Sequence, residues 1–172
     1  ASYMEAMTGP GGQYYGYGDS ITNFQPAASY AGLAALFNDP TRMALAASVK
    51  SSGFAPLQLI FRDPTFASRM TAPAPTPLQN TFTAAGVTSM TGSRSDNRAS
   101  YAAFNFGAHP AASHQHFDGG DFDFQALGQE WAVDLGMETG TYDLLAEDRA
   151  TTRWNYYRTR AEGHNTLAVD PF

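Results

Sequence analysis

The sequence predicts a mostly β protein with an α-helical N-terminal part. Three observations lead to this fold class: a stretch rich in Ala and Leu before residue 50, four prolines within residues 64–77, and a two-residue alternation of apolar and polar side chains after them. Ala and Leu lose little conformational freedom in a helix, whereas a strand with one buried face alternates in polarity. The order of these signals places the helices first and the strands second.

The N-terminal part opens with a glycine-rich loop and then contains two predicted helices. The first runs from about residue 25 to residue 37, and Asp39-Pro40 then supplies a capping Asp and a Pro suited to the first turn of a second helix ending near Lys50. Two short helices bury their apolar faces only against further helices, which the chain does not supply. We therefore expect residues 1–62 to be the end of a larger helical domain.

Residues 63–79 are predicted to link the two parts, because closely spaced prolines exclude a regular helix and favour extended backbone. Residues 80–172 hold the predicted strands. The clearest strand covers residues 121–127, with the Phe side chains on one face and the Asp side chains on the other. Gly128-Gln129 turns it into a second strand at residues 130–134, so that the two strands form a hairpin.

Two more segments, residues 101–106 and 166–169, have the composition of strands. Together these strands are too few to close a β-sandwich. We therefore expect an antiparallel β-sandwich of which residues 80–172 are the N-terminal part. Within it, Trp131 and Trp154 are expected in the core.

Composition narrows the possible partners. The net charge of −6 argues against a nucleic-acid partner, because proteins that bind the phosphate backbone usually carry a basic excess. No apolar run approaches the roughly 20 residues of a membrane span, so no membrane partner is expected. Arginines cluster near the C-terminal end, which suits an acidic ligand, although a solvated charged face fits the same composition. The cluster consists of Arg149, Arg153, Arg158 and Arg160.

The histidines are candidates for a metal site. The chain has no cysteine, so any metal ligands must be His and carboxylate side chains. His109, His114 and His116 lie close together in the sequence. In extended backbone, residues two apart share a face, which would let His114 and His116 address one cavity.

A carboxylate and a fourth histidine can complete such a site. Asp134 ends the second strand of the hairpin, and an antiparallel hairpin brings its outer ends together beside His116. His164, at the start of a further predicted strand, gives a set of two His and one carboxylate, which suits zinc. From spacing alone, histidines that are hydrogen-bonded in the core or at its rim remain the more common alternative.

Three ordered sequence blocks resemble the C-terminal domain of the heparinase II/III family. They are residues 113–122 with His114-Gln115-His116, residues 132–136 with Val133-Asp134, and residues 156–167 with Gly163-His164-Asn165. Residues 1–62 are similar, more loosely, to the end of the family's α/α-toroid, where a motif like Gly18-Asp19-Ser20 occurs. The resemblance implies a fragment of an α/α-toroid followed by an antiparallel β-sandwich.

The resemblance also implies roles for residues in these blocks. His116, Asp134 and His164 correspond to the ligands of a zinc ion that is structural and lies near the cleft. His114 corresponds to a catalytic His at the substrate cleft. Tyr142 lies at about the position where several relatives carry a Tyr and is the second catalytic candidate, although a packing role fits it as well.

Substrate binding is assigned to Gln115 and Arg158. The family's catalytic Tyr, and the Asn or His that neutralises the uronate carboxylate, are expected upstream of this chain. Three tyrosines of the opening loop lie too close to His114 in the sequence to match that Tyr, and we expect them to pack within the loop. They are Tyr14, Tyr15 and Tyr17.

The function implied by the resemblance is that of a polysaccharide lyase, a carbon–oxygen lyase that cleaves a uronate-containing polysaccharide by β-elimination. The acidic partner would be a heparin-, heparan- or alginate-like polymer, and the oligomeric state stays open. The family's usual location is the bacterial periplasm or the outside of the cell. Two alternatives remain: a non-catalytic β-sandwich module that binds acidic carbohydrate and holds a structural zinc, and a metal-dependent hydrolase.

Overall fold

The computed structural model of the chain describes residues 3–21, 28–40, 42, 65, 76–107, 114–142 and 153–169. The chain divides into two compact units, one formed by Ala1–Asn23 with Thr76–Phe172 and the other by Phe24–Pro75. The sequence groups residues 1–23 with the helical part, but the structure groups them with the strands. The physical reason is that two side chains of this segment, Met7 and Tyr15, are completely buried in the same core as the sheet.

The first unit is built on a five-stranded antiparallel sheet in which each strand pairs with its neighbours in sequence. The strands are β1 (Gln79–Phe82), β2 (Val87–Thr91), β3 (Tyr101–Asn105), β4 (Phe122–Ala126) and β5 (Gln129–Ala132). The predicted antiparallel β character is confirmed by this sheet. Within the described ranges it is the only sheet, and the sandwich stays a prediction.

The predicted hairpin is confirmed as β4 and β5. Leu127 and Gly128 form its turn, with φ angles of 57° and 77°. Two consecutive residues with positive φ are typical of a type I′ turn, whose twist matches that of the two strands. The turn therefore lies one residue earlier than the predicted Gly128-Gln129.

The N-terminal segment covers one face of the sheet. It contains a short helix, α1 (Tyr3–Ala6), followed by an antiparallel bridge between Thr8 and Tyr14. The tyrosines of the opening loop were expected to pack, and Tyr15 does so in the centre of the core. The buried core cluster consists of Met7, Tyr15, Val87, Tyr101 and Ala103.

Strand β4 alternates in polarity as predicted, with its polar side chains on the buried side. Asp123 and Gln125 are 1% and 4% exposed, whereas Phe122 and Phe124 are 37% and 38% exposed. The buried polar groups stabilise one another, since Gln125 donates a hydrogen bond of 3.0 Å to Asp123. Trp131 of β5 is 63% exposed, so its expected place in the core is wrong for the described structure.

The predicted strand at residues 166–169 is wrong, and the chain before it is helical. Three short 3-10 helices precede His164: Arg153–Asn155, Tyr157–Thr159 and Ala161–Gly163. Local hydrogen bonds favour these turns, because the Thr159 hydroxyl lies 2.6 Å from the Arg153 carbonyl oxygen and 2.9 Å from that of Tyr156. His164 itself has extended backbone.

The second unit contains helix α2 (Ala28–Leu36), which confirms the first predicted helix. The predicted cap after it is also present, since the Arg42 backbone N–H donates a hydrogen bond of 3.0 Å to the Asp39 side chain. The body of the second predicted helix and most of the predicted linker at residues 63–79 lie outside the described residues. No helix in the described part of the chain has the length and apolar composition needed to cross a membrane.

The turn between β1 and β2 requires glycine, and this can be tested. A Cβ atom on Gly86 would lie 2.4 Å from the Gly107 Cα, whereas one on Gly12 would meet nothing within 4 Å. Both residues have positive φ, so replacement by Ala strains the backbone by about 1–2 kcal/mol in either case. We expect Gly86→Ala to lower the free energy of unfolding by about 1–3 kcal/mol more than Gly12→Ala, measured by urea denaturation. Equal losses would contradict the close approach of Gly107.

A second prediction concerns the pH dependence of stability. Burial, together with the neighbouring Glu130, raises the pKa of Asp123 to about 8. The folded protein thus retains a proton that the unfolded chain releases near pH ~4, so this group destabilises the fold as the pH rises from about 4 to about 8. We expect Asp123→Asn to increase the free energy of unfolding near pH ~8 and to change it less near pH ~5. Asp96→Asn, at an exposed position, controls for the replacement of Asp by Asn itself. If Asp123→Asn loses more stability near the higher pH than near the lower one, the prediction is contradicted.

Candidate functional site

A glycine turn brings the N-terminal segment to the candidate site. Gly18 has a φ of 61°, and its N–H donates a hydrogen bond of 3.0 Å to the Asp118 carboxylate. The Asp19 N–H donates to the His114 carbonyl oxygen at 3.1 Å, and the Met137 N–H donates to the Ser20 carbonyl oxygen at 3.0 Å. The turn at residues 17–20 is therefore fixed against two other segments of the first unit.

The Asp19 carboxylate is the meeting point of four side chains. Its Oδ1 accepts a hydrogen bond from His116 Nε2 at 3.0 Å, and its Oδ2 accepts one from Arg153 at 2.8 Å and one from the Tyr142 hydroxyl. His114 Nδ1 lies 3.3 Å from Oδ2. Burial alone would raise the pKa of Asp19, but the hydrogen bonds from Tyr142, Arg153 and His116 outweigh it and lower the pKa below its usual value.

His114 and Tyr142 form a pair at the exposed edge of this cluster. His114 Nδ1 lies 2.6 Å from the Tyr142 hydroxyl, and the two rings stack with their centroids 5.7 Å apart. The His114 side chain is 67% exposed, whereas that of His116 is completely buried. Because His114 has a φ of 76°, its backbone is not extended, and the expectation that the two histidines share a face is wrong. They meet at Asp19 instead.

His116, His164 and Asp134 lie together in the interior. The His116 and His164 rings are 5.2 Å apart between centroids, and His164 Nδ1 lies 3.0 Å from Asp134 Oδ2. Burial lowers the pKa of His116 despite its contact with Asp19. Burial also opposes the charged form of His164, but the hydrogen bond that His164 donates to Asp134 raises its pKa above the usual value. The structure therefore brings the three predicted ligands into one neighbourhood.

Asp121 is a second buried carboxylate at this place. One ligand atom each from Asp121, Asp134 and His164 lie within 4.8 Å of one another, so this buried group could hold a metal ion. Asp121 also accepts hydrogen bonds from the Tyr15 hydroxyl at 3.0 Å and from the Asn165 N–H at 2.8 Å. Burial and the nearby Asp134 raise the pKa of Asp121 to about 7.

Two ring nitrogens at this place are unpartnered. His116 Nδ1 and His164 Nε2 are buried and have no hydrogen-bond partner in the described structure. The opposite nitrogen of each ring faces a carboxylate, Asp19 for His116 and Asp134 for His164. A carboxylate that accepts one N–H of a histidine leaves the other nitrogen as a metal ligand, an arrangement common in zinc sites. The residues present therefore fit a divalent cation.

The two predicted substrate-binding residues lie near this cluster in different ways. The Gln115 carbonyl oxygen accepts a hydrogen bond of 3.0 Å from Arg153 Nε. Arg158 donates hydrogen bonds to the Leu135 carbonyl at 2.9 Å and the Met137 carbonyl at 3.3 Å, and its side chain is 45% exposed. Arg158 thus helps to fix the chain that follows Asp134.

Sequence reasoning missed three residues of the site: Asp19, Asp121 and Arg153. The Gly18-Asp19-Ser20 motif was visible in the sequence, but nothing in it indicates that the carboxylate turns towards the histidines. Arg153 was visible only as one of the clustered arginines. Its side chain is 10% exposed and pairs with Asp19, so it belongs to the interior. His109 and Arg149 lie outside the described residues.

Comparisons with known proteins agree with this arrangement of elements. Residues 74–171, more than half of the chain, match the family described as heparinase II/III-like, C-terminal. No curated protein matches the sequence.

Solved structures of a heparinase III and of a heparan sulfate lyase share the fold. A heparinase III, the BT4657 gene product with methylated lysines, aligns with a TM-score of 0.61 and 16% identity over 97% of this chain. A heparan sulfate lyase, HepC from Pedobacter heparinus, aligns with a TM-score of 0.59 and 17% identity over 96% of this chain. In both cases the chain spans 22% of the longer protein, and the likeness at these identities concerns the fold.

Metal dependence can be tested on the full-length protein. We expect a chelator to lower the melting temperature and Zn²⁺ to restore it, since a ligand at about 100 times its Kd stabilises the folded state by about 2.7 kcal/mol. Asp134→Asn should lose most of this gain because it removes a buried carboxylate from the group. Asp96→Asn, at an exposed position, should keep the gain. A melting temperature that does not respond to the chelator or to Zn²⁺ would contradict the assignment.

Proposed function

This chain belongs to the heparinase II/III-like family, and on that premise we propose that the full-length protein is a polysaccharide lyase that cleaves a uronate-containing polysaccharide by β-elimination. Heparin-, heparan- and alginate-like polymers are the proposed substrates. The fold shared with a heparinase III and a heparan sulfate lyase supports this substrate class. The helical part of residues 1–62 is proposed to be the end of a toroid that completes the cleft.

The proposed metal is zinc, held by His116, Asp134 and His164. The unpartnered His116 Nδ1 and His164 Nε2 support the two histidines as ligands, and the buried group of Asp121, Asp134 and His164 supports a carboxylate ligand beside them. Bound zinc would supply positive charge among buried carboxylates and join segments that are distant in sequence. We propose that this role is structural and that the reacting groups lie on the exposed side of Asp19.

The contacts of His114 Nδ1 with Tyr142 and Asp19 are the observation that carries the catalytic proposal. The Tyr142 hydroxyl donates its proton to Asp19, so its oxygen is free to accept one from His114 Nδ1 at 2.6 Å. The Asp19 oxygen at 3.3 Å likewise accepts only from an N–H. Nδ1 therefore carries the proton in neutral His114, and Nε2 keeps the lone pair. Because the side chain is 67% exposed, this nitrogen can reach a polymer outside the fold.

β-Elimination requires one proton to leave C5 of the uronate and another to reach O4 as the C4–O4 bond breaks. We propose that His114 Nε2 takes part in these proton transfers, since an imidazole nitrogen with a free lone pair can accept a proton and return it. When it is protonated, the imidazolium is stabilised by Asp19, whose negative charge lies 3.3 Å from Nδ1. Tyr142 is the second proposed catalytic group, because its hydroxyl connects His114 to that carboxylate.

Recognition of the acidic polymer is assigned to Gln115 and Arg158. The net charge of −6 makes local basic groups necessary for holding a uronate or sulfate group, and Arg158 is partly exposed. The acidic polysaccharide is the proposed partner. Because such polymers lie outside the cytoplasm, we propose a periplasmic or secreted bacterial enzyme. The main catalytic base is proposed to lie in the preceding toroid.

The lyase proposal is tested by following the ultraviolet absorbance of the unsaturated uronate product on heparan, heparin and alginate. We expect His114→Ala in the full-length protein to lower turnover by about 100- to 10,000-fold, because it removes a general acid–base group. Its zinc content should stay near that of the wild type, since His114 is outside the buried ligand set.

Three outcomes would count against these assignments. Equal loss of zinc and activity in His114→Ala would mean that His114 is a ligand. Cleavage without an unsaturated product would indicate a hydrolase. Binding of acidic polysaccharide without any cleavage would indicate a non-catalytic module.

A further inference from the structure

The Asp19 side chain contacts both the buried His116 and the exposed His114. We propose that Asp19 is a positioning residue that fixes the ring tautomers of His116 and His114 together, one with each carboxylate oxygen. The role given to the His114 contact rests on the proposed function. The His116 contact concerns metal binding alone.

The buried half of the inference follows from His116. Its Nε2 lies 3.0 Å from Asp19 Oδ1, and a carboxylate oxygen accepts hydrogen bonds, so Nε2 carries the proton. Nδ1 then holds the lone pair, and this is the buried nitrogen without a hydrogen-bond partner. Asp19 thereby selects Nδ1 as the atom through which His116 would bind zinc. Carboxylates that orient a ligand histidine in this way typically change metal affinity by about 10–100-fold when they are removed.

The part of the inference that concerns the exposed His114 follows from the contacts of Asp19 Oδ2. Arg153, which has only donors, occupies Oδ2 at 2.8 Å, and the Tyr142 hydroxyl donates to the same oxygen. Oδ2 therefore accepts from both groups. Because the Tyr142 hydroxyl gives its proton to Oδ2, its oxygen can accept a hydrogen bond from His114 Nδ1. Both contacts of His114 therefore require an N–H at Nδ1, and both depend on Asp19. The Asp19 carboxylate thus determines which ring nitrogen of His116 and which of His114 carries no proton.

The turn holds this carboxylate in place. A Cβ on Gly18 would lie 3.0 Å from the His114 carbonyl oxygen, and the Asp19 N–H donates to that same oxygen. Asp118 holds the turn through the Gly18 N–H. Asp118 is not a neutral control, because it holds this turn and its buried charge also interacts with His116 and His164. The control for replacing Asp by Asn is Asp96, which is exposed and accepts a hydrogen bond from the Arg98 N–H.

Asp19→Asn is the discriminating variant. An Asn can accept through only one of its two side-chain atoms, so either the His116 side or the Arg153 and Tyr142 side loses its acceptor. In the full-length protein, we expect Zn²⁺ affinity, measured by competition with a chelator, to fall about 10–100-fold for Asp19→Asn. Asp96→Asn should keep the wild-type affinity. Equal affinities for the wild type and Asp19→Asn, or equal losses in both variants, would overturn the proposal.

A second measurement does not depend on how well a variant folds. Neutron diffraction from crystals of the full-length wild-type protein locates ring protons directly. We expect a proton on His116 Nε2 and on His114 Nδ1. A proton on His116 Nδ1, or a His114 that carries its proton only on Nε2, would overturn the proposal even if Asp19→Asn cannot be purified.

The outcomes separate this inference from the lyase proposal. If the wild type cleaves no uronate polymer but shows both tautomers and the affinity loss, Asp19 is a positioning residue and the lyase function fails. If the wild type is a lyase while Zn²⁺ affinity in Asp19→Asn is unchanged, the function stands and this inference fails.

Discussion

Buried carboxylates set the main physical constraint on this protein. Asp118, Asp121, Asp123 and Asp134 are at most 2% exposed in the unit that contains the sheet. A carboxylate without water is stable only if it accepts hydrogen bonds, retains a proton or lies beside a cation. The first two of these solutions are present. The raised pKa values of Asp121 and Asp123 reflect the second, and the histidine-containing group around Asp134 is suited to the third.

The N-terminal segment contributes much of this compensation. Tyr15 donates to Asp121, and the Gly18 N–H donates to Asp118. In return, the segment places Asp19 where it accepts from His116 and Arg153. The segment therefore packs against strands that follow it by more than fifty residues. Its hydrogen bonds pair with buried polar groups of the sheet, which apolar contacts alone would leave without partners.

The arrangement also separates two kinds of histidine. His116 and His164 are buried, and each presents one nitrogen to a carboxylate and the other to the interior. His114 is exposed and reaches the same carboxylate from outside. A metal site and a proton-transfer site can therefore be neighbours without sharing a ligand, because Asp19 lies between them. This division supports the different roles proposed for the two histidines of the His114-Gln115-His116 motif.

The sequence by itself determined the antiparallel β character and the β4–β5 hairpin, because polarity alternation and turn glycines are local signals. The grouping of His116, Asp134 and His164 was predicted from the resemblance of three sequence blocks to a known family, because spacing alone left hydrogen-bonded histidines the more common alternative. The sequence did not reveal that the Asp side of β4 faces the interior, because alternating polarity shows that the two faces differ but not which face is buried. Nor could it show that His114 leaves extended backbone, or that Asp19 reaches the histidines across about a hundred residues of chain. Those features depend on contacts between segments distant in sequence, and only the tertiary structure decided them.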